Sequence, residues 1–163
     1  MTANIHVAIK QGALSITSAF EFVSAAAHGA VASFIGIVRD HHENRAVSGM
    51  TYDAHDVLAE KALLDICHEA LNYWDDVSMY VEHARGDLKV GDASVVIAVG
   101  SPHRAHAFEA CRFVIEEIKS RAPIWKQEHY ADGSDAWLKG KKLEAAQEKK
   151  TCGCGGCGCG GQQ

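Results

Sequence analysis

The chain has 163 residues, 47% of them hydrophobic, enough for one domain with a sizeable core. Its formal net charge of −5 argues against a general nucleic-acid binder, so any affinity for anions has to come from a local gathering of cations. Residues 1–10 lack the charged-then-apolar order of a secretory leader, and no apolar run approaches membrane-spanning length, which predicts a cytoplasmic protein with no membrane partner.

Residues 5–9 read as a short strand. Residues 17–27 read as a helix capped by Thr17 or Ser18 and stopped by Gly29. Residues 30–38 form a strand, and the polar stretch 40–48 reads as a loop that is mobile while the site is empty, returning as a strand over 49–53. His41, His42 and Glu43 are adjacent in that stretch. Neighbours on a loop do not converge on one ion, so they are expected to be solvated and no metal is assigned to the body. Residues 56–74 read as a second helix with Leu58, Leu63, Ile66, Cys67, Ala70, Leu71 and Trp74 facing inward. Residues 77–82 and 93–99 are strands joined by turn-rich residues 86–92. Hairpin-compatible strands interleaved with three main helices predict an α+β domain with a mostly antiparallel sheet.

The third helix has a marked start, with Ser101 as N-cap and Pro102 as first helical residue. Phe108, Cys111, Val114 or Ile115, and Ile118 form its apolar stripe, with Cys67 and Cys111 as small core residues. His103 and Arg104 lie in its first turn, where the positive end of the helix dipole disfavours cations unless an anion shares the place; the alternative is an Arg that snorkels into water. Pro123 ends this helix near Arg121 or Ala122. Lys126 then lies on an extended segment that folds back beside Lys119. Two converging ammonium groups attract an anion and lower each other's pKa, the setting of a catalytic or phosphate-binding lysine; plain helix-capping charge is the other reading.

These stretches, SPHRAHAFEA at 101–110 and KSRAPIWKQE at 119–128, together with AVASFIGIVRD at 30–40, resemble the signature of the large, catalytic subunit of molybdopterin synthase. Similarity runs in order from about Gly29 to Trp137. The resemblance implies an α/β-hammerhead fold and a sulfurtransferase of molybdenum cofactor biosynthesis, without a cofactor of its own. Its family converts cyclic pyranopterin monophosphate to the dithiolene molybdopterin, with sulfur carried as a thiocarboxylate on the C-terminal Gly-Gly of a small ubiquitin-like subunit. By the resemblance Lys119 and Lys126 are catalytic, while Arg39, His103, Arg104, Phe34, Ile37, Val38, Gln127 and Glu128 bind substrate in a pocket completed across a homodimer interface within a heterotetramer. A further basic residue after the conserved tryptophan falls on Lys141, with Lys139 as alternative. His55 and Leu58 stand where the family often carries an aromatic residue and a methionine, so the pocket rim is expected to differ there.

That chemistry suits the residues. A phosphorylated pterin and a thiocarboxylate are both anions, and replacing a carbon–oxygen bond by a carbon–sulfur bond calls for a proton donor and for stabilisation of developing negative charge. Two alternatives are a Schiff-base lysine acting on another phosphorylated carbonyl compound, and a metal-handling protein that acts through its tail. Residues 1–140 are read as the domain, and residues 141–163 as a charged, then Cys/Gly-rich tail too rich in glycine to order itself without a cross-link. Cys152, Cys154, Cys157 and Cys159 are spaced C-x-C-x2-C-x-C and have the chemistry to wrap one soft ion such as Zn(II) or Cu(I), or to store persulfide sulfur; an inert appendage is the plainer reading. The resemblance does not reach them.

Overall fold

The continuous apolar run of residues 93–99 lies within a strand buried along its whole length, because a strand covered on both faces needs no polar alternation. The computed structural model describes residues 4–138. Its elements run β1 (Ile5–Gln11), α1 (Ile16–Val23), β2 (Ala30–Ile37), β3 (His41–His42), β4 (Arg45–Ala54), α2 (Asp56–Leu71), β5 (Ser78–Lys89), β6 (Ala93–Ser101), α3 (Arg104–Arg121), β7 (Ile124–Tyr130) and β8 (Asp135–Leu138). The strand order is β2-β6-β5-β4-β7-β8, with β1 beside β5 and β3 beside β4. β1 runs parallel to β5 and the other described pairs are antiparallel, which is the α+β architecture expected from the sequence. Lys139, Lys141 and the four tail cysteines lie outside the described residues.

Alternation along β5 and β6 divides the helices between two faces of the sheet. Met79, Val81, Val95, Ile97 and Val99 pack with Leu63, Ile66 and Cys67 of α2 and with Cys111, Val114 and Ile118 of α3. Tyr80, Val96 and Ala98, between them in sequence, pack instead on Ala19 and Val23 of α1. Leu63 and Ile66 are fully buried, so truncating either to alanine costs about 2–5 kcal/mol.

Several boundaries differ from the sequence reading, each for a tertiary reason. Helix α1 stops at Val23 rather than near residue 27. Ser24 Oγ donates to the Phe20 carbonyl at 2.6 Å and His28 Nδ1 lies 2.8 Å from the Val23 carbonyl, so the last carbonyls are claimed by side chains. Gly100 of β6 passes so close that a Cβ there would collide with the same Val23 carbonyl and with His28. Helix α3 starts at Arg104 with His103 as its N-cap; Ser101 instead ends β6, buried, and its Oγ accepts from the His103 amide at 3.2 Å. Leu58 and Phe108, expected inside, are 52% and 67% exposed. Both sit at the margin of an apolar stripe, where helical spacing alone does not separate core from rim.

The stretch expected as a mobile loop is a hairpin. His41 and His42 pair with Ala46 and Arg45 across Glu43 and Asn44, whose φ values are 46° and 63°. A two-residue turn with both φ positive has the type I′ shape that matches strand twist. Neither residue is glycine; asparagine adopts this region readily, whereas Glu43 there costs about 1–2 kcal/mol. The strand after the turn begins at Arg45, earlier than the expected residue 49.

Candidate active site

The Ala122-Pro123 break ends α3 as its chemistry requires: Ala122, the residue before proline, is extended at φ −71° and ψ 131°. β7 then runs antiparallel to β4, placing Lys126 opposite Tyr52 and, on the other side, opposite Leu138 of β8. Lys126 is half-buried. Burial is the largest influence holding its pKa below the ordinary lysine value; Glu128 opposes that fall, while the charges of Arg39 and Lys119 add to it. Lys119, Lys126 and Arg39 therefore share one electrostatic site, assembled from the end of α3, the first half of β7 and the segment after β2. Arg121, the remaining cation of the cluster, is committed elsewhere. Its guanidinium donates to Glu69 at 2.6 and 2.7 Å and to Glu117 at 3.1 Å, which pushes its pKa up.

Beside this group lies a cleft of ≈ 350 Å³ between β2 and α3, lined by Ala32, Phe34, Phe108, Cys111, Ile115 and Lys119, among others. Lys119 Nζ is 5.6 Å from the centre of the Phe34 ring. Ser33, Arg112 and Glu116 complete the lining, so apolar walls carry two cations against one carboxylate, a setting that suits a flat ring or an extended chain with negative charge. The Cys111 thiol is pushed up to about 11 and that of Cys67 to about 12, both by burial, so neither is a thiolate nucleophile at neutral pH. Among the described residues, no cluster of His, Cys, Asp or Glu is arranged to hold a metal ion.

The other residues singled out from the sequence separate. Ile37 is 56% exposed at the end of β2. Val38 is buried and packs with Met50, Ala84 and Leu88, in the core rather than at the cleft. Gln127 registers with Thr51 and Trp137 and points to the opposite face of β7 from Lys126. Glu128 is on the Lys126 face but only 2% exposed. His103 and Arg104 are exposed at the far end of α3, roughly 22 Å of helix from Lys119. One chain does not bring them to the same small anion as Lys119.

Sequence reasoning passed over two neighbours of this site. The sequence reads His42 as a solvated loop residue, and no motif in it singles out Tyr130. Tyr130 Oη donates to Glu128 Oε2 at 2.9 Å, and His42 Nδ1 approaches the same oxygen at 2.9 Å, close enough for an ion pair but off the line of a hydrogen bond. The alternation of Lys126, Glu128 and Tyr130 along one strand face was legible in the sequence. The hairpin that brings His42 to them was not.

The fold and this site define a small α+β protein with a lysine-bearing, half-apolar cleft, a class suited to a flat anionic substrate. Residues 9–121 match the model of the family described as MoaE protein. The chain is 44% identical over 139 residues to the molybdopterin synthase catalytic subunit of Synechococcus elongatus, covering 85% of this chain and 83% of that one. It is 38% identical over 143 residues to the protein of the same name from Arabidopsis thaliana, covering 85% of this chain and 72% of that one. Among solved structures, molybdopterin synthase from Staphylococcus aureus superposes with a TM-score of 0.78 at 33% identity, over 81% of this chain and 96% of that one. A complex of subunits 1 and 2 of the molybdopterin-converting factor from Helicobacter pylori matches with a TM-score of 0.69 at 28% identity, over 82% of this chain and 90% of that one. The chain belongs to the MoaE family, the molybdopterin synthase catalytic subunits.

Proposed function

We propose that this chain is the catalytic subunit of a molybdopterin synthase, moving sulfur from the C-terminal thiocarboxylate of a small ubiquitin-like subunit onto cyclic pyranopterin monophosphate. The observation that carries the reading is the convergence of Lys119, Arg39 and half-buried Lys126, close enough for their charges to act on one another, at the end of a half-apolar cleft. An anionic tail entering that cleft would meet Lys119 beside Phe34. Lys126, whose pKa lies below the ordinary lysine value, parts with its proton more readily than a solvated lysine. It is therefore placed to protonate the oxygen that leaves as the carbon–sulfur bond forms. Lys119 and Arg39 remain as fixed positive charge for the developing anion.

The separation of His103 and Arg104 from Lys119 supports a site completed by a second copy of the chain, a homodimer carrying one small subunit on each protomer. In such an assembly those two residues would hold the phosphate of a substrate bound by the other protomer. The small-subunit partner is supported by the likeness to the two-subunit complex named above. The setting proposed for the reaction is the cytoplasm.

Reconstitution tests the whole reading. Purified protein mixed with a thiocarboxylated small subunit and the cyclic pterin precursor is expected to yield dithiolene product in a single turnover. No product from folded protein and competent carrier would overturn it. A borohydride-trapped adduct formed with another phosphorylated carbonyl compound, in the absence of carrier, would instead favour Schiff-base chemistry at Lys126.

A further inference from the structure

Glu128 is an ionisable side chain that the proposed chemistry does not use and that the protein has nevertheless buried. At 2% exposure it is poorly placed to touch a ligand, and an unpaired carboxylate at such a position would be costly. Its contacts offset that cost. Tyr130 Oη donates to Oε2 at 2.9 Å, and His42 Nδ1 lies 2.9 Å from the same oxygen. Tyr130 is itself held in place, with the Arg45 guanidinium 3.5 Å from its ring centre. The hydrogen bond to Glu128 pushes the Tyr130 phenol pKa up, so it stays a donor.

Lys126, Glu128 and Tyr130 alternate along β7 and share a face, opposite Tyr52, Met50 and Val47 of β4. The charged and titratable groups acting on this face are Arg39 after β2, Lys119 from α3, Tyr52 from β4, and His42, Glu43 and Arg45 from the β3–β4 hairpin. Of the groups that act on Lys126, Glu128 alone favours its ammonium form.

We propose that Glu128 is a positioning residue: its buried carboxylate, held by Tyr130 and approached by His42 of the hairpin, sets the electrostatic field at Lys126, its neighbour on the same face of β7. The type I′ turn at Glu43 and Asn44 then has a purpose: it carries His42 onto the carboxylate. This deepens the reading of Lys126 as a working cation of the cleft and rests on that reading for its consequence, though not for its test.

The test titrates Lys126 in the full-length protein by NMR of 13C-methylated lysines, its signal assigned by loss in Lys126→Arg. In Glu128→Gln the midpoint is expected to fall by about one pH unit or more, a tenfold loss of proton affinity. His42→Asn and Tyr130→Phe keep the carboxylate but change how it is held, and should each shift the midpoint by a smaller amount. His42→Asn should add nothing in the Glu128→Gln background, because its effect passes through the carboxylate. An unmoved midpoint in folded Glu128→Gln would overturn the proposal, as would a His42→Asn effect that persists in full without the carboxylate. If Glu128→Gln does not fold, the two clamp variants decide: neither moving the midpoint overturns the assignment. A purely structural role would lower the melting temperature and leave the midpoint where it was. The titration requires neither sulfur carrier nor pterin, so its outcome and that of the reconstitution are read independently.

Discussion

Lys119 and Lys126 differ in surroundings although both are lysines of one site. Lys119 is exposed and stands beside the Phe34 ring, whereas Lys126 is half-buried with its pKa lowered by burial, Arg39 and Lys119. An exposed helix-end cation contributes little to packing, so Lys119→Ala is expected to melt like the parent while losing on the order of 100-fold or more in single-turnover sulfur transfer. Near-normal turnover by the folded variant would remove Lys119 from the mechanism. Because a depressed lysine gives up its proton as pH rises through a value below the ordinary 10.5, transfer that needs protonated Lys126 should fail on the alkaline side. Loss of activity only on the acid side would contradict that role.

At the scale of elements, the β3–β4 hairpin joins fold and chemistry. Its turn places two non-glycine residues at positive φ, a strain that persists only where the surroundings hold it. Replacing Glu43 by Asn together with Asn44 by Gly supplies residues that accept this geometry, and should raise stability by about 1 kcal/mol. The measurement is a urea midpoint that moves up with unchanged slope. Since the backbone path is kept, the Lys126 titration should not move. A lower midpoint would mean that Glu43 or Asn44 makes a contact worth more than the strain it carries.

On the scale of the whole molecule, α3 places the two groups of candidate residues at opposite ends. Its register puts Arg104 and Lys119 roughly 22 Å apart. If a second protomer supplies His103 and Arg104, Arg39→Ala and Arg104→Ala proteins should complement each other when mixed under conditions that exchange subunits. A hybrid dimer then holds one site with both arginines intact, so random exchange restores roughly a quarter of the parental sites. Activity no greater than the sum of the separate variants, with exchange verified, would show that each chain's site is self-sufficient.

Local chemistry determined much by itself. The pre-proline break ended α3 at Arg121, the apolar run at 93–99 read correctly as a buried strand, and the motifs around Arg104 and Lys119 pointed to the family. These follow from dihedral limits, periodicity and residue type within a short window. The end of α1 at Val23 combines local bonds from Ser24 and His28 with the tight passage of Gly100, and only the tertiary structure shows that passage. Similarly, Val38 lies in the core and Phe108 at the cleft, although the resemblance implied a binding role for the first and helical spacing implied burial for the second. The placing of His42 on Glu128 depends on a turn with no glycine to announce it and on strand pairing that brings β7 alongside β4. Pairing across the sheet joins residues far apart in the chain, and a charge acquires its influence on Lys126 only once that pairing has formed.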